Sequence, residues 1–268
     1  MQIIRTSIVS FFKNNYMQSC AALAYYGMFA SIPLLLLAAL LLGRSITSSQ
    51  AALMGLRRLT YLLVPEFQEI IVKEATSLSR LAMTWGWVGF VSCLSCIFPL
   101  VTAIRNVFLT IFGAKRKRTF LIELMRDFVT VILLIVLLIF LVISEIIYDE
   151  LIIVLLKAVS FPLYIFDFLV NVVISSIGLT VFYYVFIPVK AGFRPIGVTA
   201  GLVSIFWGVV SPMLVFFLTL NPKFGIAFGS LKAIFLIFMW VYGVFCVIVL
   251  GAECIAQWYL QSQKDVRS

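Results

Sequence analysis

Six apolar stretches, each long enough to cross a bilayer and almost free of charge, constrain this chain more than any motif in it. Residues 16–42 and 196–220 contain no Asp, Glu, Lys or Arg. Residues 85–112 carry only Arg105, 128–148 only Glu145, 162–188 only Asp167 and 233–258 only Glu253. A helix needs about 20 mainly apolar residues to span the hydrocarbon core. The pattern therefore predicts an all-α membrane protein with six transmembrane helices, forming a single polytopic domain over residues 1–268. A hydrophobic share of 63% and a mean hydropathy of +1.16 exceed what a soluble domain carries, whose apolar share is about half. The first stretch is longer than the apolar core of a signal peptide, so it reads as a retained span.

A net charge of +9 would suit nucleic acid, but basic residues of membrane proteins gather beside the spans on the cytoplasmic side. With an inside N-terminus, Arg5, Lys13, Lys115, Arg116, Lys117, Arg118, Arg126, Lys190, Arg194, Lys264 and Arg267 fall inside. Arg44, Arg57, Arg58, Lys73, Arg80, Lys223 and Lys232 fall outside, mostly in one long segment, where the rule is weak. The short loops decide. Lys115 to Arg118 against the turn holding Glu145, Asp149 and Glu150 predicts that both termini are cytoplasmic. The run 115–118 has no interleaved aromatic residue, so anionic lipid headgroups or topology explain it and nucleic acid does not.

Residues 43–84 form the one sizeable extramembrane segment. Leu53, Leu56, Leu59 and Leu63 predict one amphipathic helix, and Pro65 with Glu66 and Glu69 opens a second. Residues 1–15 predict an amphipathic helix on the cytoplasmic leaflet, with Ile3, Ile4, Ile8, Phe11 and Phe12 as its apolar face. Residues 151–161 are too few to cross and read as a re-entrant or tilted segment broken at Pro162.

Small residues recur at helical spacing. Gly197, Gly201, Ser204, Gly208 and Ser211 share one face of the fifth span, and Cys20, Ala24, Gly27 and Ser31 share one face of the first, with Pro33 expected to kink it. Such faces let helices approach closely where lipid supplies no hydrophobic drive. Cys93 and Cys96 have CxxC spacing but lie in an apolar span, and His is absent, so no metal or other cofactor is expected.

These residues carry a family resemblance. AALAYYGMFASIPLL at 21–35 resembles the first-span signature of the BrkB/YihY-type bacterial inner-membrane proteins. The run from FGSL at 228–231 through WVY at 240–242 to LGAE at 250–253 is similar to the closing signature, and AIRN at 103–106 to a second-span pattern. The tract 221–225 departs from the family. The resemblance implies six inner-membrane spans, suggestions of transport, and an old ribonuclease label. The residues do not support that label: with no His and only 11 carboxylates, no acid and base pair sits beside a basic cluster.

Charges inside spans are expensive unless paired or facing water. Candidate substrate or gating residues are therefore Arg105, Asp167, Asn171 and Glu253. Asp167, Asn171, Ser175 and Gly178 share a face of the fourth span that is expected to turn inward. Arg105 and Glu253 lie at similar depth and are expected to pair. The favoured reading is a non-enzymatic protein that binds or moves a small or amphiphilic, lipid-like substrate through a polar cavity between the second, fourth and sixth spans. The alternatives are a nontransporting scaffold or envelope-assembly factor and, third, a lipid-directed enzyme. A homo-oligomer is compatible with the small-residue faces.

Overall fold

The computed structural model describes residues 2–46, 95–114, 125–133, 136, 163–189, 191–220 and 231–265, and every regular element among them is helical. In chain order these are α1 (Gln2–Lys13), α2 (Tyr16–Ile46), α3 (Ser95–Ile111), α4 (residues 125–133), α5 (Leu163–Phe186), α6 (Phe193–Leu220) and α7 (Leu231–Asp265). Three of them contain segments long and apolar enough to cross a membrane: Phe168–Phe186, Phe193–Ser211 and Ile237–Gln263. α2 is also one continuous helix of 31 residues, or about 46 Å at 1.5 Å per residue. It passes through Pro33 without a break and runs on to Ile46, beyond the boundary drawn after residue 42. The helices expected in 47–84, the segment 151–161 and the run Lys115 to Arg118 lie outside the described residues.

Helix ends follow local chemistry. α3 stops at Gly113, whose φ of 59° is left-handed backbone that glycine adopts without a side-chain clash. Ala114 N–H donates to Leu109 C=O at 2.9 Å and Gly113 N–H to Thr110 C=O at 3.2 Å, the paired bonds that close a helix over such a residue. Asn15 does the same job between α1 and α2 with φ 53°, and its N–H donates to Phe12 C=O at 3.2 Å. Asparagine tolerates this conformation better than other side chains. α5 ends at Phe186, just short of Pro188, and α6 takes Pro195 in its first turn, where no amide donor is needed.

α7 is the hub. It packs against α1, α2 and α6, and α5 with α6 form the most extensive pairing. The facing residues fix directions. A Cβ on Gly27 of α2 would sit 2.7 Å from Phe245 and 3.3 Å from Val241, while Tyr16, further back on α2, lies near Glu253. α2 and α7 are thus antiparallel. Gly251 faces Val203 while Gly243 faces Trp207, and Gly201 faces Ser176 while Gly208 faces Phe168, so α6 runs antiparallel to both α7 and α5. Trp207 and Trp240 close the α6–α7 seam edge to face at 5.0 Å. Phe108 of α3 enters a ring cluster with Phe182, Tyr183 and Phe186 of α5, joining α3 to the bundle.

The tightest joint is at Gly251. Tyr183 is fully buried and its hydroxyl donates to the Ile248 carbonyl of α7 at 2.9 Å. A Cβ on Gly251 would collide with that hydroxyl and lie 2.9 Å from Val203 Cγ2. Glycine here lets α5, α6 and α7 meet, and it supplies the notch that a buried phenol needs to find an acceptor.

α1 is helical as expected, but its inward line is narrower than the apolar pattern suggested. Ser7 and Phe11 are buried with Ile3 half-buried, whereas Ile8, Val9 and Phe12 are exposed. Residues 3, 7 and 11 stand one turn apart and face α7, which leaves Ile8 and Phe12 rotated away from it.

Candidate functional site

The charged residue placed in the second span is half of an interhelical cluster. Arg105 of α3 forms an ion pair with Asp127 of α4, and its Nη2 donates to Thr130 Oγ1 at 3.0 Å. Thr102 Oγ1 donates to Asp127 Oδ2 at 3.1 Å, and Thr130 Oγ1 also donates to the Arg126 carbonyl at 2.8 Å. The side chains of Arg105 and Asp127 are 12% and 4% exposed. Thr102 and Arg105 are one turn apart on α3, as are Asp127 and Thr130 on α4, so each helix offers two polar side chains on one face. The ion pair that Arg105 makes is thus with Asp127, where the sequence suggested Glu253. Asp127 sits one residue before the apolar stretch 128–148, so the search for charges inside the spans does not reach it. The matched three-residue spacings were the signal available.

Glu253 lies on α7 two residues past the Gly251 notch, and it is 2% exposed. Its Oε1 accepts from Gln257 Nε2 at 2.8 Å, one turn on along the same helix, while Oε2 is buried with no hydrogen-bond partner among the described residues. Around it stand the α1–α2 corner and its side chains. Tyr16 is near enough to interact electrostatically with the carboxylate, and Ser7 meets the thiol of the adjacent Cys254. The Tyr16 hydroxyl accepts from Asn14 Nδ2 at 3.4 Å, and Ser7 Oγ donates to the Ile3 carbonyl at 2.9 Å. None of these neighbours was drawn from the sequence. Their link to Glu253 depends on α1 folding back along α7, which no local pattern encodes.

The polar face of α5 is not turned inward along its length. Asn171 is half-buried, Ser175 is exposed and Gly178 is buried, and the side chain of Asp167 lies outside the described residues. α5 instead meets α6 with the adjacent line Phe168, Val172 and Ser176. The offset is one residue, or about 100° around the helix. On α6, Gly208 is pressed against Phe168, whose ring edge would be 3.0 Å from an added Cβ. Gly201 leaves 3.7 Å to Ser176 Oγ and Ser211 is half-buried; among the described residues the buried Ser204 hydroxyl has no partner and Gly197 has nothing within 4 Å. On α2, Gly27 packs on α7, and Ser31 turns its hydroxyl to the Met28 carbonyl at 2.7 Å. No three His, Cys, Asp or Glu gather as metal ligands among the described residues.

No curated protein and no solved structure matches the chain. A family model described as Virulence factor BrkB matches residues 7–267, a range that holds both terminal signatures, the Gly251 notch and Glu253. The chain belongs to the BrkB family, and with its long apolar helices it is an integral membrane protein.

Proposed function

We propose that this is a six-span protein of the bacterial inner membrane, with both termini cytoplasmic, that binds or moves a small or amphiphilic, lipid-like substrate through a polar path between its helices. The observation that carries the reading is Glu253, a buried carboxylate with one oxygen satisfied and the other without a hydrogen-bond partner among the described residues. Burying a charge inside a membrane bundle is costly, and natural sequences retain such groups chiefly along ion and substrate routes. The lysine and arginine distribution supports the threading, and the antiparallel order of α2, α7, α6 and α5 accords with it.

The small-residue faces weigh against a scaffold. Gly27, Gly208 and Gly251 are occupied by neighbouring helices of the same chain, so they are not free to seat a partner. Gly197, with open space over it, is the one position that favours the scaffold reading. Catalysis is not part of the proposal, and the basic run Lys115 to Arg118 is assigned to anionic headgroups at the cytoplasmic face. The deciding experiment reconstitutes the full chain into liposomes containing a short-chain fluorescent phospholipid and follows its movement between leaflets by quenching from outside. Faster movement than in protein-free liposomes, reduced in Glu253→Gln, is expected. Equal rates with and without protein, across several headgroups, would overturn it.

A further inference from the structure

Among the described residues, Glu253 is the buried charged group outside the Arg105–Asp127 pair that keeps an oxygen without a hydrogen-bond partner. Its Oε1 is held by Gln257, and Oε2 needs a donor. An ionised carboxylate makes its strongest hydrogen bonds with positively charged donors. No three His, Cys, Asp or Glu gather around it among the described residues, where its neighbour Cys254 is a thiol, so the site suits one positive charge better than a divalent metal. On α2, Tyr16 stands close enough to interact electrostatically with the Glu253 carboxylate. Its hydroxyl takes only a long bond from Asn14, 3.4 Å, and keeps acceptor capacity of its own. The Tyr16 hydroxyl is donor as well as acceptor, so the unmet atom is Glu253 Oε2, and its strongest complement is a group rich in N–H and carrying one positive charge.

The surroundings add a second property. α1, which covers this part of α7, presents Ile8, Val9 and Phe12 outward, with exposed Arg5 and Lys13 on the same helix. An apolar flank carrying basic residues, beside a buried acid, complements a molecule that has an acyl chain, an anionic group and a cationic group. We infer that Glu253 receives the primary ammonium group of an amphiphile at the junction of α1, α2 and α7. Oε2 is enclosed in this conformation, so the inference requires the packing of α1 and α2 on α7 to part for the ammonium to reach it. The inference rests on the substrate-binding reading above and names the headgroup chemistry of that site.

The test uses the full chain in nanodiscs of phosphatidylglycerol doped with equal traces of phosphatidylethanolamine and phosphatidylcholine, followed by native mass spectrometry of the lipids that stay bound. The two dopants share a positive nitrogen, but only the first has N–H donors. The wild-type protein is expected to retain the ethanolamine lipid about tenfold over the choline lipid, the worth of one charge-assisted hydrogen bond. Glu253→Gln, which keeps the shape and the Gln257 bond, is expected to erase that preference. A second arm adds soluble ethanolamine to discs of phosphatidylglycerol alone and reads the unfolding midpoint. A rise that needs Glu253, with no lipid preference, assigns the ammonium to a soluble amine. No preference between dopants together with no response to the soluble amine overturns the inference. So does a preference that persists in Glu253→Gln. The wild-type comparison decides even where the variant fails to fold. Headgroup preference without lipid movement would keep this inference and sink transport; movement blind to headgroup would do the reverse.

Discussion

The Arg105 cluster and Glu253 set the same physical problem and answer it differently. On α3 and α4 a cation, an anion and two hydroxyls supply one another's hydrogen bonds across a helix pair. On α7 a carboxylate of similar burial is held by one amide from its own helix and left open on the other side. Two residues earlier on α7, the fold shows that it can satisfy a buried polar group fully, since the Tyr183 hydroxyl reaches Ile248 through the notch at Gly251. A satisfied network can be explained as architecture. The open oxygen cannot, and that contrast separates the residue assigned to binding from the residues assigned to holding helices together.

The largest effect should come from breaking the satisfied site. Asp127→Ala leaves the Arg105 guanidinium enclosed without its carboxylate, and removing one partner of a buried pair costs about 3–5 kcal/mol. Replacing both, as Arg105→Met with Asp127→Leu, should recover most of that loss, because the desolvation penalty leaves with the charges. Unfolding midpoints in one detergent for the two single variants and the double variant measure the coupling. Simple additivity would show that the pair is not a structural unit and would remove one side of the comparison.

Next in size is the notch. Gly251→Ala puts a methyl against the Tyr183 hydroxyl and Val203, so three helices must shift, at a cost of about 1–3 kcal/mol. Gly201→Ala meets only Ser176 Oγ at ordinary contact distance and should be near neutral. Gly208→Ala, against the movable edge of Phe168, should fall between them. Tyr183→Phe removes one interhelical hydrogen bond and leaves Ile248 C=O its place in the helix, a loss of about 0.6–1.5 kcal/mol. If Gly201→Ala proved as damaging as Gly251→Ala, close approach would not be what distinguishes these glycines.

Much of this arrangement was legible in the chain itself. The long apolar run ending at Pro188 bounded α5, and the amphipathic pattern of residues 1–15 announced α1. The stripe of Cys20, Ala24 and Gly27 is the face α2 turns to α7, because helical spacing alone fixes which residues share a side. What a stripe does not specify is the azimuth at which a neighbour docks. The polar line Asp167, Asn171 and Ser175 is equally periodic, yet α6 packs on the line beside it, where Phe168 and Val172 fit against Gly208. Pairing of charges failed for a related reason. Depth made Arg105 and Glu253 candidate partners, but choosing between Glu253 and Asp127 required knowing that α4 lies against α3. The Tyr16 and Ser7 surroundings of Glu253 likewise arise from tertiary folding of α1, which period and composition do not report.

A small effect on stability, and the sharpest test of the comparison, belongs to Glu253→Gln. Glutamine keeps an oxygen for Gln257, keeps the volume and removes the charge. The cost of burying an ionised oxygen disappears, while a buried amide N–H2 without an acceptor is created, and the two changes oppose each other. The net shift should stay within about 1 kcal/mol of zero, well below that of Asp127→Ala, and the variant should express and insert normally. The ethanolamine preference should nevertheless be lost and lipid movement slowed, because the donor that Oε2 awaits would meet another donor. A loss of stability as large as that of Asp127→Ala would mean that the Glu253 charge is bound into the fold as firmly as the Arg105 pair. The distinction between a closed and an open polar site would then fall, and with it the assignment of Glu253 to substrate.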